Sequence, residues 1–216
     1  ARRAVTLTFE DDGTMQLGDE SGSLPDLGPY DLVETGEAGV SERPGITSFK
    51  KGARFDSGAA TVNDYNWKTP DQSLRTAAEG EYDNDLERYV FPAGYRNNAQ
   101  GERLATKRIE AYRAEAVYLE GKGNDPHFAA GLGFAVDGEA VALFSGEYLL
   151  VRVEHAARNG AFQDGKETED RSRYENRFTA IPKERPFRPV PRTPRPTVDG
   201  IHTAMVRGPA GEEIHT

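Results

Sequence analysis

The sequence predicts a mainly β fold of the α+β class with one prominent helix. Apolar and polar residues alternate in most of the structured segments, which is the period of a half-buried strand. One segment alone shows the period of an amphipathic helix. Glycine makes up 23 of the 216 residues, above the average of about 7%, as expected for short strands joined by turns.

The first segment, AVTLTFEDDGTMQLGDE, predicts a β-hairpin. Apolar residues alternate over residues 5–9 and 15–17, and the Asp12-Gly13 pair between them favours a tight turn. Residues 18–45 are rich in glycine, proline, serine and acidic residues, which predicts a long connection. Because the chain begins without methionine and inside a predicted strand, we expect it to be part of a longer protein.

Two further short strands are predicted before the helix. Residues 46–55 and 60–67 alternate apolar and polar side chains, and Pro70 ends the second strand. The segment that follows, TAAEGEYDNDLERYVFPAGY, has no clear period. Its aromatic residues are predicted to pack as one irregular cluster: Tyr82, Tyr89, Phe91 and Tyr95.

The predicted helix covers residues 98–112, with Asn97 or Asn98 as its N-cap. Its apolar stripe recurs at helical spacing, while charged residues cover the other face. Val117 and Leu119 then indicate a strand that starts soon after the helix ends. The residues of the stripe are Ala105, Ile109, Tyr112 and Ala116.

Long antiparallel strands are predicted in the last third of the chain. EYLLVRVEHAAR and SRYENRFTAIP both alternate, and the intervening NGAFQDGKETED is predicted as an exposed turn. The earlier GLGFAVDG contains a G-x-G pattern, but it neither opens a helix nor carries a third glycine, so a β-turn is favoured over dinucleotide binding.

Charge and composition exclude several classes of function. The net charge of −9 argues against nucleic-acid binding and against attraction to anionic membranes. Cysteine is absent, which excludes disulfides and Cys-ligated metal sites. No apolar run is long enough for a membrane span, and no signal peptide is visible. We therefore predict no direct membrane anchor.

Local motifs predict no catalytic, cofactor-binding or metal-binding residues. No two histidines have the spacing of a local metal site. His155 is expected to be structural, because a strand places its side chain and that of Glu154 on opposite faces. Ser48 and Lys51 match S-x-x-K, but that motif needs a helix start and this segment predicts a strand. The four histidines are His127, His155, His202 and His215.

The segment KERPFRPVPRTPRP concentrates proline and positive charge. Residues 182–196 hold six of the 13 prolines, with five cationic residues against one glutamate. Such a density of proline predicts a semi-rigid connector in the polyproline II conformation, able to span about 45 Å. The spacing of Arg188, Pro191 and Pro194 also matches a ligand of an SH3 domain, so recruitment of a partner domain is one alternative.

Three C-terminal segments have distinctive sequences: YLLVRVEHAARNG, YENRFTAIPKERPFRPVPRTPRPTVDG and TAMVRGPAGEEIHT. Together they resemble the VgrG spike proteins of bacterial type VI secretion systems. The upstream segments ITSFKKGARF, TVNDYNWKTPDQSL and GERLATKRIEAYRAEA are similar to the same family. The matching positions are Tyr174, Asn176, Phe178, Ala180, Ile181, Pro182, Pro186, Phe187, Arg188 and Pro189, then Gly208, Pro209, Gly211, Glu212, Glu213 and Ile214. Residues 199–202, Asp-Gly-Ile-His, depart from the family's usual sequence.

The resemblance implies a phage-tail-hub-like antiparallel β-barrel domain followed by a connector and the start of an OB-fold. It divides the chain into residues 1–40, the end of a first hub barrel and a connection; 41–181, a second barrel domain with the helix; 182–200, the connector; and 201–216, the first strands of the OB-fold. These domain bounds are implied by the resemblance alone.

The function that the resemblance implies is mechanical. It implies a homotrimer that caps a tube of hexameric Hcp-like rings and carries effector or adaptor proteins, without catalytic residues, cofactors or metals. It also implies assembly in the bacterial cytoplasm and export without a signal peptide. Two alternatives remain open: a hub of a contractile phage or extracellular injection particle, and a hydrolase with dispersed carboxylates.

Overall fold

The structure is a computed structural model that describes residues 6–9, 13–18, 25–32, 44–137, 139–158, 162–163, 166–167, 173–189 and 196–203. These residues contain one α-helix, α1 (Asn98–Arg113), and one 3-10 helix (Glu139–Phe144). The strands are β1 (Thr6–Phe9), β2 (Met15–Gly18), β3 (Asp26–Tyr30), β4 (Ile46–Ala53), β5 (Ala59–Val62), β6 (Thr76–Glu79), β7 (Glu87–Val90), β8 (Val117–Gly123), β9 (Gly133–Val136), β10 (Gly146–Arg158), β11 (Phe162–Gln163), β12 (Lys166–Glu167) and β13 (Arg173–Pro182).

Six strands form the main sheet, in the order β3-β9-β10-β13-β8-β4. All neighbours are antiparallel except β3 and β9, which are parallel. Leu32, just after β3, forms a bridge with Ile46 at the start of β4, so the two edges of the sheet meet at this point. The sheet therefore curls into a barrel, and the predicted mainly β class with one helix is confirmed.

The longest pairing of the sheet joins β10 and β13, the two strands predicted from alternation. Their register runs from Tyr148 opposite Pro182 to Arg158 opposite Arg173, with one irregularity between Leu150 and Arg152. The other edge of β13 pairs with β8, so β13 is a central strand. Between β10 and β13 the chain forms the small β11–β12 hairpin.

Aromatic side chains fill the core of the barrel. The ring of Phe178 lies edge-to-face against Phe128 and Phe134, with centroids 5.2 and 5.7 Å apart. Gly121 is opposite Phe178 on β8, where a Cβ atom would lie only 2.2 Å from the ring, so the phenyl group occupies the space above the glycine. Other buried members of the core are Ile46, Leu119, Val136, Tyr148, Leu150 and Ala180.

A second, smaller unit is inserted between β4 and β8 (residues 54–116, the inserted lobe). Its three-stranded sheet has the order β6-β5-β7, and α1 packs against β5 and β6. The helix begins as predicted, because the Asn97 side chain accepts a hydrogen bond of 3.0 Å from the Gln100 amide. Ala105, Ile109 and Tyr112 are buried, which confirms the predicted stripe.

Three local predictions are wrong. The connection predicted over residues 18–45 contains a strand, β3, which pairs with β9. The strand predicted over residues 60–67 ends at Val62. The predicted aromatic cluster does not form, because Tyr95 alone is buried. Its hydroxyl donates to the carbonyls of Val62 and Leu74. The other three members, Tyr82, Tyr89 and Phe91, are exposed.

The N-terminal hairpin is confirmed. β1 and β2 pair antiparallel, with Thr6 opposite Gly18 and Phe9 opposite Met15. The predicted OB-fold strands over residues 201–216 lie outside the described residues from position 204 onward. The four domain bounds given above stay predictions.

Candidate functional site

The candidate site is the region where β13 ends and the proline-rich connector begins, because it holds most of the distinctive sequence. Along β13, Asn176 and Phe178 are buried and project into the barrel. The Asn176 Nδ2 donates a hydrogen bond of 2.7 Å to the carbonyl of Asp125, in the loop after β8. A buried amide that is hydrogen-bonded in this way ties the loop to the central strand.

Asp125 is itself the centre of a polar network beside β13. Its Oδ2 accepts a bond of 2.6 Å from the Tyr30 hydroxyl, and its Oδ1 accepts a bond of 2.9 Å from the His127 amide. The His127 Nδ1 lies 2.8 Å from the same Oδ1. Burial disfavours the ionised carboxyl, but these bonds outweigh it and hold the pKa of Asp125 below its usual value. Burial and the nearby carboxylate raise the pKa of Tyr30.

Apolar contacts hold the first part of the connector against the barrel. Phe187 packs against the almost fully buried pair Leu149 and Ile181, and Val151 packs against the same pair. Ile181 and Leu149 are partners in the β10–β13 ladder, so the Phe187 ring covers the end of that ladder. Full burial of an aromatic side chain contributes about 1.5–3 kcal/mol, and Phe187, which is half-buried, contributes a fraction of this.

Charged groups fix the connector to two other elements. The Lys183 Nζ lies 2.6 Å from the Asp26 Oδ2 in β3 and 3.9 Å from the Glu147 Oε2 in β10. Burial would raise the pKa of Asp26, but the Lys183 ammonium and the Gly28 amide lower it below its usual value. These bonds attach the start of the connector to the barrel.

The next two arginines of the connector reach the inserted lobe. The Arg185 Nη2 donates to the Tyr82 hydroxyl at 3.2 Å, and the Arg188 Nε lies 2.8 Å from the Glu110 Oε2 on α1. The Arg113 guanidinium also contacts Tyr82, at 3.6 Å from the ring centroid. Residues 183–189 (the connector anchor) therefore join the barrel to the lobe.

This geometry changes the interpretation of the proline-rich segment. Its first part does not project freely as a strut, because the connector anchor is docked on the same chain. Arg188 faces Glu110, so its guanidinium is not presented as the charge of an SH3 ligand. Pro191 and Pro194 lie outside the described residues.

The three described histidines are all exposed. His155 is exposed on β10, with its Nδ1 2.6 Å from the Tyr174 hydroxyl, and His127 is exposed beside Asp125. His202 is exposed, while His215 lies outside the described residues. Ser48 lies on β4, as expected, so the S-x-x-K match has a strand geometry.

Within the described ranges, no group of three or more acidic or histidine side chains is arranged to hold a metal ion. In the same part of the chain, no helix has both the length and the apolar character of a membrane span.

Sequence reasoning missed the partners of the connector anchor. The three partners, Asp26, Tyr82 and Glu110, belong to no motif. Glu110 is 78 residues from Arg188 in the sequence, and Asp26 is 157 residues from Lys183. No local signal identifies contacts between residues so far apart in the sequence.

Comparison with known proteins shows the family to which the chain belongs. Residues 1–161, which make up most of the 216-residue chain, match the phage tail baseplate hub (GPD) family. The chain belongs to this family. The match covers the inserted lobe and the strands from β1 to β10, while β13 and the connector anchor follow it.

The hub is also homologous to type VI spike proteins, as the sequence resemblance predicted. The type VI secretion system spike protein VgrG2a of Pseudomonas aeruginosa is 33% identical over 184 residues, which are 82% of this chain and 22% of that protein. VgrG5 of the same organism is 31% identical over 214 residues, 92% of this chain and 27% of that protein. The chain thus spans about a quarter of the length of these relatives.

Among solved structures, a tail protein from Neisseria meningitidis MC58 has the same fold as the hub. The TM-score is 0.54, with 14% identity over 82% of this chain and 51% of that one. At this identity the similarity concerns the fold alone.

Proposed function

We propose that this chain is the hub part of a structural spike protein at the tip of a contractile injection machine of the type VI secretion class. In this proposal the complete protein forms a homotrimer, caps a tube of hexameric Hcp-like rings and helps to deliver effector or adaptor-bound proteins. Membership of the hub family and homology to spike proteins support this role.

The observation that carries the proposal is the connector anchor. A spike that is driven forward must transmit force from its hub to whatever follows the connector. Here the connector starts from the central strand of the barrel and is fixed by Phe187, Lys183 and Arg188 to three parts of the chain. An anchored connector moves together with its hub, whereas the end-to-end distance of a freely jointed linker changes under load.

The mass of the complete protein tests the proposed assembly. Light scattering should give three times the chain mass at every concentration measured, and the trimer should retain a hexameric ring protein on a column. A closed trimer is expected because cyclic symmetry buries the same surface on every copy. A monomer whose mass does not change with concentration would contradict the proposal.

A hub of a contractile phage or extracellular particle is the second candidate, because the family is named for phage baseplates and a tail protein shares the fold. The two candidates differ in the ring protein that the trimer caps. We expect the trimer to bind the type VI ring protein in preference to a phage tube protein, and the reverse preference would favour the second candidate.

A hydrolase is the alternative from a different class, and we propose instead that this region has no catalytic residues, cofactor or metal. General acid catalysis near neutral pH needs a carboxyl with a raised pKa. In the described part of the chain, Asp125 is the one buried carboxyl, and its pKa is lowered. Hydrolysis of a glycan or ester by the purified chain, abolished by Asp125→Asn, would contradict this proposal.

We also propose that the protein assembles in the bacterial cytoplasm and leaves the cell with the tube, without a signal peptide. The complete protein should then appear in the culture medium of cells with a working contractile machine. It should stay inside cells whose sheath cannot contract.

A further inference from the structure

The inserted lobe and the barrel have separate hydrophobic cores. Within the described ranges, the helix and the strands of the lobe pack extensively only against one another. In the same part of the chain, no apolar cluster joins the lobe to the barrel. The clustered buried residues of the lobe are Ala60, Val62, Leu74, Tyr95, Ala105, Ile109 and Tyr112. The barrel and the lobe are therefore two separately packed bodies.

Two short stretches, residues 54–58 and 114–116 (the neck), carry the chain between these bodies. Neither stretch lies in a helix or a strand. Across the neck, the Arg54 amide donates a hydrogen bond of 2.9 Å to the Ala116 carbonyl. The half-exposed Arg54 guanidinium lies 4.5 Å from the centroid of the Tyr118 ring. Short irregular segments of this kind act as hinges, because a few backbone angles can absorb a rotation.

The connector anchor contacts both bodies and is a second attachment besides the neck. On the barrel side, the Lys183 amide donates a hydrogen bond of 3.0 Å to the Glu147 carbonyl, and Phe187 packs at the end of the β10–β13 ladder. The side chains of the next arginines point the other way, to the lobe. These lobe contacts are those of Arg185 with Tyr82 and of Arg188 with Glu110.

The surface of the lobe that receives the connector is held rigidly. Asp83 has a φ of 61°, and its carbonyl accepts hydrogen bonds from the Gly58 and Leu86 amides, at 3.1 and 2.9 Å. A non-glycine residue keeps a positive φ where the surrounding contacts fix it. The Asp83 carboxylate lies 3.2 Å from the Arg113 Nη1, and the same guanidinium lies over the Tyr82 ring. Because Tyr82 is tied to α1 and to the start of β5 in this way, a connector bound to it holds the whole lobe.

We propose that the connector anchor is a strap that holds the inserted lobe in place, and that its detachment allows the lobe to turn about the neck. With the strap bound, the lobe is attached to the rest of the chain at two places. With the strap detached, the neck remains as a hinge. Polar contacts such as those of Arg185 and Arg188 shift a two-state ratio by about five- to thirtyfold. The position of the connector thereby controls the position of the lobe.

A distance measurement between the two bodies tests this proposal. The chain contains no cysteine, so two introduced cysteines can each carry a spin label without a background. Glu102→Cys on α1 and Arg152→Cys on β10 replace exposed side chains of the lobe and the barrel. Pulsed double electron–electron resonance then measures the distance between the labels. The labelled chain should give one narrow distance, with at most about 10% of a second, broader population.

Removal of the lobe contacts should release the lobe. In the chain that carries Arg185→Ala and Arg188→Ala, the ratio of the broad to the narrow population should rise by about five- to thirtyfold. The matched control is Arg103→Ala, which removes an exposed arginine of α1 and should leave the narrow distance unchanged.

A charge exchange separates the strap from general damage to the fold. Arg188→Glu places two carboxylates against each other and should favour the broad population. Adding Glu110→Arg restores opposite charges at the same place and should bring back the narrow distance. A side chain that only stabilised the connector itself would give no such recovery.

Several outcomes would overturn the proposal. A narrow distance that persists without both arginines would do so, and so would a broad distribution in the labelled original chain. Failure of the charge exchange to restore the narrow distance would also contradict it. Loss of the helical circular dichroism signal in the double variant would show that the connector keeps the lobe folded instead of positioning it. The measurement uses one chain and needs no trimer, so its result is independent of the proposed hub function.

Discussion

The ion pair between Arg188 and Glu110 provides the sharpest test of the anchored connector. The Arg188 Nε and Glu110 Oε2 are 2.8 Å apart, and the side chains are 15% and 25% exposed. Solvent-exposed pairs contribute about 0–1 kcal/mol, whereas removing one partner of a fully buried pair costs about 3–5 kcal/mol. Because this pair is mostly shielded from water, we expect a coupling energy of about 1–2 kcal/mol.

A double-mutant cycle measures this coupling. The free energy of unfolding in urea is compared for the original chain, Arg188→Ala, Glu110→Ala and the double variant. Each single variant should also speed cleavage of the connector by trypsin, since loss of the pair allows residues 183–189 to leave the surface. The matched control is Arg152→Ala, which removes an exposed arginine from β10. A coupling below about 0.5 kcal/mol, with unchanged cleavage, would refute the anchored connector.

Three further predictions concern the barrel. Gly121→Ala should destabilise the chain by about 1–3 kcal/mol in urea unfolding, because its Cβ would meet the Phe178 ring, and adding Phe178→Leu should restore part of the loss. Asn176→Leu should cost about 1–3 kcal/mol, since the Asp125 carbonyl would lose a buried donor. Asp125 has a lower pKa in the folded chain than in the unfolded chain, so its ionised carboxylate stabilises the fold at pH values above the unfolded-state pKa. That stability should be lost as pH falls below about 4, and Asp125→Asn should flatten this acid dependence of unfolding.

The local hydrophobic period was sufficient to predict the elements that depend mainly on residues close together in the sequence. The first hairpin follows from alternation around Asp12 and Gly13, and α1 follows from an apolar stripe with Asn97 as its cap. β10 and β13 were also predictable, because they are long enough for alternation to be unambiguous. In each case the pattern and the capping or turn residue agree.

The short strands could not be predicted because tertiary pairing determines them. β3 reads DLGPY and contains proline and glycine, yet Asp26 and Tyr30 pair with β9 at the edge of the barrel. β6 and β7 have four residues each, too few for a period to be distinguished. Tyr89 was assigned to an irregular aromatic cluster, whereas its strand lies at the edge of the lobe's sheet and its side chain is exposed.

β13 connects the core of the barrel to the connector anchor. Phe178 fills the barrel core, Asn176 fixes the loop at Asp125, and Ile181 supports Phe187 at the end of the strand. A pull on the connector would act along a strand that is hydrogen-bonded on both sides, to β10 and β8. Because ladder hydrogen bonds lie across the strand direction, such a load is shared by many bonds at once. β13 is therefore expected to resist extension when the connector is pulled.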